Sequence, residues 1–228
     1  MVLRHYPAQF EQDKTQDKDN CHNEEAYFFS IHKNDADSIL KSALVMPNSF
    51  FIEKIENDKE AHNYLNKIYS SNRPDLLLSL TTTSCYNANV SDIVTECIDR
   101  RFYLNNFKFE EIKTCLQEAI MNALIHGNLQ VGKDFRSAKD LYEYQTKVRK
   151  RLIIDGYRLR RLNIMVWKKN DYIQIAVGDE GDGFSIPDTP YDESLPSGRG
   201  FMLIRSMSDN MWVGEDKRTL FMTFNCLS

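Results

Sequence analysis

Apolar side chains enter the chain in short blocks whose spacing alternates between strand-like and helical. AYFFSIH, NDADSILKSALVM, SFFIEKI and NDKEAHNYLNKIYSS predict strand, helix, strand and helix over residues 26–72, with Asn57 or Asp58 as cap of the last helix. Residues 1–25 hold too few apolar side chains to offset the entropy of ordering and read as a flexible tail. Pro74 breaks the pattern, and a domain boundary is expected near residue 72. Beyond it the signals strengthen: DLLLSLTTTS as a strand, NVSDIVTECIDRRFYL as an amphipathic helix, and a second helix in FEEIKTCLQEAIMNALIHGN. LNIMVWK and YIQIAVG alternate with the strand period and are joined by Lys-Asn-Asp, which predicts an antiparallel hairpin. TLFMTFN closes the chain as a last strand.

Three segments stand out from this regular pattern. At about 100° per residue, Ile112, Leu116, Ala119, Ile120 and Ala123 share one helix face, and Glu118, Asn122 and His126 lie along its rim. Polar residues at that spacing are also common on exposed helix flanks. The strand YIQIAVG runs into DEGDGF, residues 179–184, where Gly181 and Gly183 permit close approach of a flat ligand and Asp179 can accept hydrogen bonds. An ordinary Asp-Gly turn fits the same residues, whereas a Ca²⁺ loop needs more oxygen ligands and a closing Glu. In SGRGFMLIRSMSDNMWV, Gly198, Arg199 and Gly200 open a helix whose apolar face carries Phe201, Leu203, Ile204 and Met207. A glycine-rich turn there presents free backbone N–H groups to an anion such as a phosphate.

Composition narrows the class. With 228 residues and 42% hydrophobic content the chain can bury a sizeable core. A net charge of −4 and a pI of about 5.8 argue against a nucleic-acid or anionic-membrane partner. Five cysteines, with no CxxC spacing, favour a reducing cytoplasm. No stretch approaches the roughly 20 apolar residues of a membrane span, and the N-terminus lacks a signal-peptide core, so a cytoplasmic protein is expected. Charge is unevenly spread: residues 130–161 hold ten Lys and Arg against four Asp and Glu, a net +6 that leaves −10 for the remainder. That insertion is either a solvated helical excursion or a docking surface for an acidic protein.

Taken in order, EAIMNALIHGN, VGDEGDGF and SGRGFMLIRSMSDN resemble the N box and the two glycine boxes of the GHKL ATPase superfamily, which includes gyrase and the histidine kinases. The likeness is closest to the anti-sigma-factor serine/threonine kinases and covers residues 73–228. It implies a Bergerat-type α/β two-layer sandwich, a mixed and mostly antiparallel sheet covered on one face by helices, here with a small N-terminal α/β extension at residues 26–72. It also implies ATP and Mg²⁺ as ligands. By this resemblance Asp179 bonds the adenine amino group, Gly181 and Gly183 leave room for the ring, and Thr219 supports the pocket. Asn122 coordinates Mg²⁺, with His126 beside it on the helix rim, and Glu118 is the general base. Gly198, Arg199 and Gly200 close on the phosphates, and FSIPDTPYDESLP forms a lid.

The activity so implied is phosphorylation of a serine or threonine on an antagonist protein, with a sigma factor as a further partner and a homodimer as the assembly. A nucleotide-gated scaffold that transfers no phosphate is the alternative. A histidine kinase fragment using His62 is weaker, because EAHNYLNK lacks the acidic residue after the histidine. Three departures stand out: the insertion at 130–161 with its YRLRR end, Lys217-Arg218 where a glycine usually precedes the threonine, and the first 72 residues. The two β-α units of the extension loosely resemble the second half of a receiver domain, with Ser30 and Lys54 at the hydroxyl and lysine positions.

Overall fold

The computed structural model describes residues 26–31, 35–55, 72–132, 138–186 and 199–226. Seven strands form one mixed sheet: β1 (Tyr27–Phe29), β2 (Phe50–Glu53), β3 (Leu76–Thr81), β4 (Arg161–Lys168), β5 (Tyr172–Gly178), β6 (Asn210–Val213) and β7 (Thr219–Asn225). Their order is β1-β2-β3-β4-β5-β7-β6; β1, β2 and β3 pair in parallel and every later pair is antiparallel. The expected hairpin is β4–β5, in register from Asn163↔Gly178 to Lys168↔Ile173.

Strand alternation assigns the two faces. Leu76, Leu78 and Leu80, Ile164 and Val166, Ile173, Ile175 and Val177, and Leu220, Met222 and Phe224 all point into one core with the helices. On the opposite face Phe50, Ile52 and Leu77 form a smaller cluster. Trp167, Phe221 and Trp212 continue that second face as a stack, with ring centroids 6.3 and 5.2 Å apart. The architecture is thus a mixed α/β two-layer sandwich, as the sequence predicts.

The helices are α1 (Ala36–Leu44), α2 (Thr82–Asn87), α3 (Val90–Phe102), α4 (Asn106–Asn122), α5 (Ala138–Arg151), α6 (Asp155–Arg158) and α7 (Arg199–Met207). DLLLSLTTTS is strand only to Thr81, whose hydroxyl accepts the Ser84 N–H and caps α2. Asn105 caps α4 in the same way, accepting the Lys108 N–H at 2.8 Å. The expected single helix through His126 changes character: α4 ends at Asn122 and Ala123–Asn128 is π-helical. That wider turn lets the Leu129 N–H reach the Leu124 carbonyl and sets Asn122, Ala123, His126 and Gly127 on one cavity.

The strands of the extension continue the main sheet. Leu40, Ala43 and Leu44 of α1 are buried in the common core, the Arg101 guanidinium donates to the Met46 and Asn48 carbonyls, and Glu53 closes the seam. The Glu53 carboxylate accepts the Thr81 N–H at 2.6 Å and the Ser84 hydroxyl at 2.6 Å, while its own carbonyl accepts from Arg161. Burial pushes its pKa up, against those donors and the Arg161 charge. Ser30 and Lys54 are exposed at the ends of β1 and β2. His62, the helix expected around it and the first 25 residues lie outside the described residues.

Candidate active site

The N-box helix and the start of α7 meet over the end of β5, and the space between them is a cavity of about 120 Å³. Ala119, Ala123, Val177 and Leu220 make its walls apolar, and Phe184 and Phe201 stack beside it at 5.6 Å between centroids. Asn122, His126, Asp179 and Gly183 also line it. A slot walled by hydrocarbon with few polar groups suits a flat heterocycle.

Asp179 is the polar group inside that slot. It is 8% exposed, and its Oδ1 accepts the Gly181 N–H at 2.8 Å. Burial pushes its carboxyl up to about 6, partly offset by that bond and by the Arg218 charge. Such a carboxylate has spare acceptor capacity and gains from a ligand N–H donor. Gly181 packs on the neighbouring backbone, since a β-carbon there would lie 2.5 Å from the Gly127 carbonyl oxygen.

Gly183 has φ +91°, and an added β-carbon would press on the Lys217 carbonyl at 2.8 Å. Lys217, where a glycine is expected, itself adopts φ +56°. Its carbonyl accepts the Phe184 N–H at 2.8 Å and the Arg218 carbonyl accepts the Asp179 N–H at 3.2 Å. The backbone path is therefore kept, at a steric cost of about 1 kcal/mol that glycine would avoid. Thr219 does not line the cavity. It sits behind Gly178, its partner on β5, and its hydroxyl donates to Asp216 at 2.6 Å.

At the other end of the cleft Gly200 lies against the rim of α4. A β-carbon on it would fall 2.5 Å from Glu118 Oε2 and 3.2 Å from Asn122 Nδ2. The first turn of α7 thus faces the carboxylate and amide that the sequence singles out. Asn122 Nδ2 is buried and bonds to nothing among the described residues. Half a turn of that amide presents its oxygen instead, so Asn122 fits a hard cation. No group of three or more His, Cys, Asp or Glu capable of holding a metal occurs among the described residues. Arg199 and His126 are exposed beside the cleft, and Gly198 and most of the expected lid lie outside the described residues.

Several residues of the site carry no distinct signal in the sequence. Gly127 backs Asp179, and Phe184 and Phe201 stack on each other beside the cavity. Asn128 ties the N-box helix to the loop after Asp179, and Asp216 orients Thr219. Only the position of Gly127 and Asn128 inside HGN could have marked them.

The family model described as "histidine kinase-like ATPase domain" matches residues 81–224, from the end of β3 to β7. No curated protein matches the chain. No described helix is long and apolar enough to cross a membrane.

Proposed function

Because the chain belongs to the histidine kinase-like ATPase domain family, we propose that it is an ATP-dependent protein serine/threonine kinase of the anti-sigma-factor type. On this reading it phosphorylates an antagonist protein and exchanges partners as it does so. The observation that carries it is the contact of Gly200 with both Glu118 and Asn122. It brings the start of α7, a carboxylate and an amide together at one end of a cleft whose other end holds Asp179, which supports a phosphate site there.

Adenine occupies the apolar slot, its amino group donating to Asp179. Asn122 would hold Mg²⁺, which would supply charge neutralisation to the phosphates. Glu118 accepts the proton of the attacking hydroxyl as that oxygen bonds to the γ-phosphorus and the bond to the β–γ bridging oxygen breaks, leaving ADP. The α7 N–H groups, with Arg199, meet the phosphate charge. The antagonist, a sigma factor, and pairing of two copies complete the proposed cycle.

The test is calorimetric titration with ATP, with and without Mg²⁺, followed by phosphotransfer to a serine-bearing antagonist. Mg²⁺-dependent binding with transfer is the expected result. Binding without transfer to any hydroxyl would leave an ATP-binding scaffold and reject the kinase.

A further inference from the structure

The basic insertion is joined to the Asp179 end of the cleft by a continuous set of contacts. Tyr157, from α6, carries two guanidiniums over its ring: Arg151 at 4.7 Å and Arg160 at 4.9 Å from the centroid. A flat cation over an aromatic ring is held in place by it, so one ring orients both arginines. Both then reach the last turn of the N box. Arg151 donates to the Leu129 and Gln130 carbonyls, and Arg160 donates to the Asn128 carbonyl at 2.8 Å.

Two of the residues so held, Asn128 and Gln130, grip the loop that follows Asp179. Asn128 is fully buried; its Oδ1 accepts the Glu180 N–H at 2.8 Å and its Nδ2 donates to the Arg161 carbonyl at 3.1 Å. Gln130, at φ +52°, donates from Nε2 to Asp182 at 2.6 Å. The Glu180 carboxylate in turn accepts the Arg161 N–H at 2.8 Å. Gly181 is therefore pinned on both sides by the N-box end, and its N–H is the donor to Asp179. None of these residues needs to touch a ligand.

We propose that Asn128 and the Arg151–Tyr157–Arg160 clamp are positioning residues for Asp179, so that the insertion sets how well the pocket selects an adenine base. The inference rests on the reading of Asp179 as the acceptor for the adenine amino group. A loop with neither Asn128 nor the clamp can shift by a fraction of an ångström, enough to misalign one hydrogen bond without closing the apolar slot. Loss of alignment then falls on ligands that carry the amino group and spares those that lack it.

The experiment compares the affinities of ATP and purine riboside 5′-triphosphate, which lacks the amino group, for the full chain and three variants. Wild type is expected to prefer ATP by about tenfold or more, the magnitude of one buried hydrogen bond to a charged group. Tyr157→Leu keeps the apolar packing but loses the ring face, and Asn128→Ala loses the Glu180 contact. Each should bring the ratio toward one mainly by weakening ATP. Tyr157→Phe keeps the stack and should preserve the wild-type ratio. Equal weakening of both ligands in the Leu and Ala variants, or an unchanged ratio, overturns the proposal. A wild type that does not distinguish the two nucleotides instead rejects the adenine reading itself. Should Asn128→Ala fail to fold, the Tyr157 pair decides alone, because it alters no residue of the pocket.

Discussion

Gly127 and Asp179 occupy the same few ångströms: a β-carbon at 127 would lie 2.2 Å from the Asp179 carboxyl carbon. The carboxylate rests on bare backbone, and that absence of a side chain is what allows it to be buried at the end of β5. Gly127→Ala must therefore push the carboxylate into the cavity or move the π-helical turn. Either shift is expected to cost about 1–3 kcal/mol of stability, as overpacking does elsewhere. Nucleotide affinity should fall with it by at least tenfold. Thermal unfolding and ATP titration of the same sample check both parts, and a variant that binds normally would show that Asp179 is not held as described.

Acid should weaken binding through Asp179. Its carboxyl titrates near 6 in the folded chain against 3.8 unperturbed. An amino donor favours the ionised form, so affinity should drop as pH falls through about 6, by roughly tenfold at pH 5. The nucleotide's own phosphate titrates nearby, so purine riboside triphosphate is the control. The effect on folding has the opposite sense: a raised carboxyl contributes stability that is fully present below 3.8 and lost as pH rises through about 6. Asp179→Asn should abolish both dependences, and an unchanged pH profile in that variant would assign them to another group.

Glu118→Gln tests the base without disturbing the cleft. The amide is isosteric, keeps an oxygen toward Gly200 and cannot take a proton. Phosphotransfer should fall by about 10²–10⁴-fold while ATP affinity stays within about threefold. Retained transfer would remove Glu118 from the chemistry, leaving it a neighbour of the phosphate helix only.

The parts of the site that were legible in the sequence are those whose signal is local. Glu118, Asn122 and His126 repeat at four-residue intervals, and the glycines cluster within a few positions of Asp179 and Arg199. What stayed hidden depends on partners far along the chain. Asn128 bonds to residues 33 and 52 positions away, and no periodicity distinguishes it from a helix-ending asparagine. The π-helical turn is hidden for a related reason: ALIHGN satisfies α-helical spacing equally well, and the wider turn lays Gly127 against Asp179, far along the chain. The strands of the extension were legible as strands, but the parallel pairing of β1 to β2 and of β2 to β3 is tertiary, the latter in the register Phe50↔Leu77. Lys217 shows the converse, a residue that departs from the expected glycine yet takes the backbone conformation that glycine would supply.

The extension is expected to be inseparable from the ATPase sheet. β3 is central: Leu76, Leu77, Leu78 and Leu80 have no exposed surface, and the Leu77 N–H donates to the Ser49 carbonyl at 2.7 Å. Removing residues 1–72 would turn β3 into an open edge, with unpaired backbone groups along an apolar strand, the arrangement that invites aggregation. It would also strip the Glu53 acceptor from the Thr81 N–H and the Ser84 hydroxyl, and uncover Leu80, Val94 and Ile98 on the helix side. Unsatisfied donors at about 1–3 kcal/mol each, together with the lost apolar burial, exceed what a domain of this size can spare. A fragment of residues 73–228 should therefore lack a cooperative melt and elute as aggregate, whereas the full chain unfolds in one transition. A fragment that melts cooperatively within a few degrees of the full chain, and still binds ATP, would make the extension a dispensable attachment.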